Sequence, residues 1–240
     1  MALKDNLVAH WKLEESSSTR FDSHNSHDLT DNNTVTQTTG KVGNCASFTK
    51  ANSEFLDRSS IDSTLKTGDF DWTIALWIQT PSSIGPEGIF AWGDGFATKS
   101  VELLTTASGL DVQVTDTGGA ESSHTLLAIG SMSGSTWYYV TIRFDESAED
   151  IVGRIDGGSN STFIQTTVRN SPTVLRVGRE RGGAYWDGEI DEMSFWNAYK
   201  SDSDLDEIYN SGSGLDFDDW DAGGGSLIYT PRYHNHILTR

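Results

Sequence analysis

The chain has 240 residues and carries Lys+Arg 17 against Asp+Glu 35, a net charge of -18. A surface this acidic repels phosphate backbones and excludes general nucleic-acid binding. No run of about eighteen apolar residues occurs, so no membrane insertion is expected, and the single cysteine, Cys45, cannot close an internal disulfide.

The opening MALKDNLVAHWKLEE lacks the long apolar centre of a signal peptide. Leu7, Ala9, Trp11 and Leu13 alternate with Val8, His10 and Lys12, which predicts a strand almost at once. Next comes DSHNSHD, with Asp22, His24 and His27. Two histidines three apart without a cysteine are a weak zinc pattern, and solvated loop histidines are the expectation. Cys45, within GKVGNCASF, is expected to be a buried, inert thiol.

A strand over 71–80 (DWTIALWIQT) is apolar on both faces, as in a strand covered on both sides. Residues 135–144 (STWYYVTIRF) repeat the theme. Shorter strands are predicted over 88–92, 101–104, 110–114, 125–129, 151–155, 162–166 and 174–177, separated by glycine turns such as Gly93-Asp94-Gly95 and Asp156-Gly157-Gly158. Many short strands and almost no helix predict an all-β fold, a two-sheet antiparallel jelly-roll sandwich. The exception is a short C-terminal helix over 201–212. Ser201 and Asp204 form a capping-box pair, Leu205, Ile208 and Tyr209 an apolar stripe, and Gly212 a stop.

The domain is assigned to residues 1–214. Residues 215–240 are read as an acidic turn (DFDDWD, 216–221), a Gly223-Gly224-Gly225 hinge and a tail. The acidic turn is expected to be solvated, since it lacks the glycine and glutamate of a calcium loop. The last fifteen residues contain Arg232 and Arg240 and no acid. Leu227, Ile228, Tyr229, Tyr233, Ile237 and Leu238 are costly to leave in water and predict a docking arm for a protein partner, either a larger assembly or a second copy.

In order and spacing the chain resembles laminin G-like jelly rolls of the concanavalin A-like lectin/glucanase superfamily. The resemblance rests on LVAHWKLEE (7–15), Asp22-Ser23, GKVGNCASF (40–48), DFDWTIALWI (69–78), VGRIDG (152–157) and the stretch from Val177-Gly178 to Gly212, and it covers about residues 5–214. It implies two packed curved sheets with a rim of loops, sugar or protein binding, and in many members one calcium. It also implies that Gly188–Glu192 couples the last strand to the first. Asp191 then has two open readings: a calcium ligand together with Asp22, or a metal-free, hydrogen-bonded carboxylate.

The enzymes of this superfamily carry E-x-D-x-x-E on one strand, and retaining hydrolysis needs two carboxyls flanking the scissile bond. Here Glu189 and Asp191 fill the first two positions, but Ser194 stands where the second glutamate belongs. Period two places Met193 and Phe195 on the Glu189–Asp191 face and Glu192 on the other. A glycoside hydrolase acting on β-glucan is therefore the lesser alternative.

Sugar binding uses aromatic rings for the C–H faces and polar groups for the hydroxyls. The candidates are Trp92, Asp94, Arg179, Arg181, Tyr185, Trp186 and Asp187, concentrated in RERGGAYW (179–186). The expected function is a non-catalytic binding or adhesion module for a glycan or other surface polymer. It is expected to belong to a larger assembly such as a virion, anchored by its tail, and to sit on the virion surface or outside the cell.

Overall fold

The structure is a computed structural model that describes residues 2–95 and 97–221; Phe96, the hinge and the six tail residues from Leu227 to Leu238 named above lie outside the described residues. Among the described residues fifteen strands form two antiparallel sheets, with one short helix, as the alternation predicts.

The eight-stranded sheet runs β13 (Ser161–Ile164), β12 (Asp150–Ile155), β11 (Trp137–Asp145), β6 (Trp72–Gln79), β15 (Glu189–Trp196), β4 (Asn44–Ser47) and β3 (Thr36–Thr39), with β1 (Leu7–Trp11) paired to β15. The first and last strands thus meet: Ala9 lies opposite Phe195 and Trp11 opposite Met193. The seven-stranded sheet runs β10 (Glu121–Ala128), β9 (Gly109–Thr115), β8 (Val101–Thr105), β7 (Glu87–Trp92), β14 (Val174–Val177), β5 (Phe55–Ser59) and β2 (Thr30–Asn32).

Between the sheets lies the main core. Ile74, Leu76, Ile78, Val140, Ile142, Ile190, Met193 and Phe195 from one sheet pack on Leu56, Phe90, Trp92, Leu103, Val112, Leu175 and Val177 from the other. A second apolar cluster covers the outer face of the eight-stranded sheet. Trp77, Tyr139 and Trp196 meet Leu205 and Ile208 of α1 (Asp202–Tyr209) and Phe217 and Trp220 beyond it. This explains why β6 is apolar on both faces: each face meets a packed layer.

The helix starts as predicted. Ser201 accepts from the Asp204 N–H, and the Asp204 carboxylate accepts from the Ser201 N–H. It stops earlier than expected, at Asn210 in the left-handed conformation, and a further short turn carries the chain to Gly212.

The acidic turn leaves Asp218, Asp219 and Asp221 exposed, as expected, but its aromatics dock on the sheet. Lys12 Nζ donates to Asp216 Oδ1 at 2.9 Å and to Asp218 Oδ2 at 3.0 Å. The Phe217 ring stacks on His10 with centroids 4.1 Å apart, and Trp220 stacks on Trp196. Asp221 accepts from the backbone N–H groups of Leu3 and Lys4. Two buried aromatics pull this segment onto the sheet, and its carboxylates find a lysine and free amides there. Residues 215–221 therefore form a strap over the outer face.

Strand β15 corrects the period-two reading. Asp191 lies opposite Trp77 and Ile190 opposite Ile78, but the register slips before Ser194, and Glu192 has φ +50°. This bulge moves Met193 and Phe195 into the core alongside Ile190, so neither shares a face with Asp191.

Candidate functional site

With one sheet covered on both sides, the outer face of the seven-stranded sheet is the remaining platform. Its register sets a polar row from edge to edge: Thr30, Asp57, Arg176, Ala91, Glu102, Gln113 and Ser123 lie in successive opposition. Alternation explains the row. Leu56, Leu175, Val177, Leu103 and Val112 point into the core, so the residues between them point out.

Two loops wall this face. One follows β7 and turns at Gly93, whose φ of +107° and close approach to Lys99 leave no room for a side chain. Lys99, fully buried, places Nζ 2.9 Å from Glu102 Oε1, 2.5 Å from Glu121 Oε2 and 3.2 Å from Gln113 Oε1. The other is the 179–186 stretch. Arg181 pairs with Glu121 and lies 3.7 Å from Glu102. The Glu180 carboxylate accepts from the N–H groups of Gly182 and Ala184, closing the turn on itself. The loop rests directly on Gly88, where an added Cβ would stand 2.0 Å from the Glu180 nitrogen. Both walls are thus fixed to the sheet by ion pairs and backbone contact, which limits reorganisation on binding.

At the far end of the row, Phe55 and Tyr185 form a half-buried aromatic pair with centroids 6.1 Å apart. The Arg179 guanidinium lies 5.1 Å from each ring centroid, within cation–π range of both. Arg176 lies opposite Asp57 across the β14–β5 ladder, and its Nη2 is 4.0 Å from Asp94 Oδ2. Asn32 Nδ2 donates to Asp57 Oδ1 at 2.9 Å. Aromatic surface, guanidinium, carboxylate and amide therefore converge on one open face.

The structure divides the predicted ligand residues. Asp94, Arg179 and Tyr185 share this face, and Arg181 builds its wall. Trp92 and Trp186 are corrections, because both are fully buried. Trp92 packs on Phe90 and Phe195 and donates its indole N–H to Leu65 O at 3.0 Å. Trp186 belongs to the core cluster and lies against Gly188. Asp187 lies apart, in a shallow depression of about 320 Å³ with Phe48, Gln79, Ser135 and Glu189. Phe55, Asp57, Asn32 and Arg176 were missed. For Phe55, Asp57 and Arg176 the signal was the alternation of β5 and β14, which turns them away from the core face of Leu56, Leu175 and Val177; Asn32 joins them through the pairing of β2 with β5.

Asp22 and Asp191, the pair read as calcium ligands, are both held by backbone amides. Asp22 Oδ1 accepts from the N–H groups of His10 and His24, and Oδ2 accepts from His27. Asp191 Oδ2 accepts from Lys41 at 2.8 Å and Val42 at 2.9 Å. Both Asp22 oxygens and Asp191 Oδ2 thus already hold backbone N–H donors, while Asp191 Oδ1 has no partner among the described residues. Burial pushes the Asp191 carboxyl up to about 8, with the two amides working against it. Among the described residues no group of three or more His, Cys, Asp or Glu is arranged to hold a metal. His27 is buried and His24 exposed, and Cys45 is buried with its thiol pushed upward by desolvation.

Nor do Glu189 and Asp191 offer two carboxyls to a substrate, since Asp191 is fully buried beneath residues 40–42. Burial raises the Glu189 carboxyl, which lies 3.4 Å from the Ser47 hydroxyl. Among the described residues no helix is long and apolar enough to cross a membrane.

Comparison with known proteins places the chain. The binding domain of Paraclostridial Mosquitocidal Protein 1 superposes with a TM-score of 0.70 at 17% identity, covering 88% of this chain and 53% of that one. The Botulinum Neurotoxin serotype G binding domain gives 0.65 at 10% identity, with 87% and 50% coverage. This chain thus spans about half the length of those toxin domains. Domain 4 of AbnA, a GH43 extracellular arabinanase from Geobacillus stearothermophilus solved with arabinotriose, gives 0.61 at 13% identity, covering 88% of this chain and 98% of that one. No curated protein matches the sequence. These likenesses show a shared fold, and the Laminin_G_3 profile matches residues 57–206, so the chain belongs to the concanavalin A-like lectin/glucanases superfamily.

Proposed function

We propose that this chain is a non-catalytic glycan-binding module that seats a saccharide on the outer face of its seven-stranded sheet. The observation that carries the reading is the Phe55–Tyr185 pair flanked by Arg176, Arg179, Asp57, Asp94 and Asn32, on a sheet face that no second layer of described residues covers. Half-exposed rings supply the surface that sugar C–H groups stack on, and the surrounding polar groups match hydroxyls. The fold neighbours agree with this use: an arabinanase domain was solved with arabinotriose, and botulinum binding domains with SialylT and with N-acetylneuraminic acid. A broad glycan array, run with and without calcium, tests the reading. Selective binding to a set of related glycans is expected, with or without the ion. Binding to none of them would overturn it.

The switch from an acidic domain to an apolar tail holding only basic charges supports a second role for residues 226–240. In this reading the tail anchors the module to a larger assembly, such as a virion decoration or fibre protein, which would then present the glycan face at the particle surface. Deleting 223–240 is expected to leave the domain folded and to abolish incorporation into the particle. Unchanged incorporation would contradict that role.

A further inference from the structure

Arg176 and Arg179 share the open face without a full set of protein partners. The Nε–H groups of both are buried and find no acceptor among the described residues. Arg176 reaches only to within 4.0 Å of Asp94, whose other oxygen accepts from the Thr98 hydroxyl at 2.8 Å. Asp57, opposite Arg176, is engaged by Asn32. Among the described residues no carboxylate comes within 4.0 Å of the Arg179 guanidinium, which is held instead by the Phe55 and Tyr185 rings. Aromatic contact fixes a guanidinium in place but leaves its N–H groups unused.

The two cations also act on each other. After burial, the nearby Arg179 charge is the strongest influence lowering Arg176, while Asp94, Asp57 and Tyr185 oppose it. Two guanidiniums brought together on a sheet face, each short of hydrogen-bond acceptors, destabilise one another until an anion enters between them. A planar guanidinium fork is suited to bind an oxyanion through paired hydrogen bonds.

We propose that the glycan carries an oxyanion, a carboxylate or sulfate on the sugar ring, that docks between Arg176 and Arg179 while the ring stacks against Tyr185 and Phe55. This inference rests on the reading of the outer face as the glycan site. It fits the acidic chain because one charged sugar lies wholly within the local patch. A polyphosphate, in contrast, would run out over the acidic surroundings.

The test uses the full chain and matched probes: sialyllactose, sulfolactose and lactose, and trigalacturonate with its methyl ester. Calorimetry on the wild type is expected to favour a charged member over its neutral partner by about tenfold or more, the scale of a charge-assisted hydrogen bond. Sialyllactose or trigalacturonate in front assigns a carboxylate, and sulfolactose in front assigns a sulfate. Arg176→Gln and Arg179→Gln, checked for unchanged thermal midpoints, should erase the preference while weak binding of the neutral sugar persists. Tyr185→Ala should weaken both forms. Equal binding of charged and neutral partners, unmoved by either arginine change, overturns the oxyanion and leaves the glycan reading standing. Binding of no probe here and no glycan on the array overturns both.

Discussion

His10 Nε2 stands 2.9 Å from Glu192 Oε2, both groups buried, joining the first strand to the bulge of the last. The other imidazole nitrogen, Nδ1, lies 2.8 Å from the Ser194 hydroxyl, and Phe217 closes over the ring. Burial pushes the Glu192 carboxyl up to about 9 and pulls the imidazole down to about 3. Across the range between these values the pair holds the same number of protons whichever partner carries the shared one, so it stays neutral as a unit.

The pH dependence of stability follows from these shifts. Glu192 and Asp191 have raised values, about 9 against the usual 4.5 and about 8 against 3.8. The stability they contribute is present below the unfolded values and is lost as pH rises through the folded ones. His10 is lowered from 6.5, so it acts oppositely, costing stability as pH falls from 6.5 toward 3. Above 6.5 the acids act unopposed. Denaturant midpoints should fall between pH 6.5 and 9, at up to about 1.4 kcal/mol per pH unit for each group that keeps its proton. Glu192→Gln, which cannot lose a proton, should flatten that decline. An unchanged slope in the variant would assign the dependence elsewhere.

Asp191 is the structural clamp of residues 40–42. Its Oδ2 takes the amides of Lys41 and Val42 and its Oδ1 has no partner among the described residues, so the proton resides on Oδ1. Asp191→Ala strands two part-buried N–H groups and should cost about 2–4 kcal/mol. Asp191→Asn keeps the acceptor and should cost far less near neutral pH. Equal losses in the two variants, measured by chemical denaturation, would refute the clamp.

Calcium should leave the domain's thermal midpoint unchanged, because both Asp22 oxygens hold backbone amides and Asp191, raised to about 8, keeps its proton near neutral pH. A site that bound the ion would raise the midpoint with concentration, by about 2.7 kcal/mol of stability at a hundredfold excess over Kd. Melts with calcium and with chelator check this directly. A concentration-dependent rise would restore the metal reading.

Incubation with β-glucan should release no reducing sugar. Asp191 is buried, which leaves Glu189 without the second carboxyl of its own motif. Release that disappears in Glu189→Gln would reverse this conclusion.

Much of the fold was readable from the sequence because its signals are local. The double-faced apolar pattern of 71–80 marks β6, and Ser201 with Asp204 marks the helix start. The site was only partly readable. Trp92 ends a strand beside a glycine turn and Trp186 lies in a glycine-rich loop, but which way each points depends on the sheet packed beneath. Phe55 and Arg176 are far apart in sequence and meet only through the β14–β5 register. The bulge at Glu192 needs one residue in a left-handed conformation, and no glycine announced it. The buried pairing of His10 with Glu192 joins opposite ends of the chain and leaves no trace in either neighbourhood.

The outer face of the seven-stranded sheet is the proposed seat of the sugar. Its most direct test is the binding isotherm of the best array glycan for wild type, Tyr185→Ala and Asp187→Ala. The account predicts a loss of about tenfold or more in Tyr185→Ala, on the scale of a lost aromatic contact, with an unchanged melting midpoint and near-normal binding in Asp187→Ala. Full binding in Tyr185→Ala together with its loss in Asp187→Ala would move the site to the depression beside Glu189 and contradict the account.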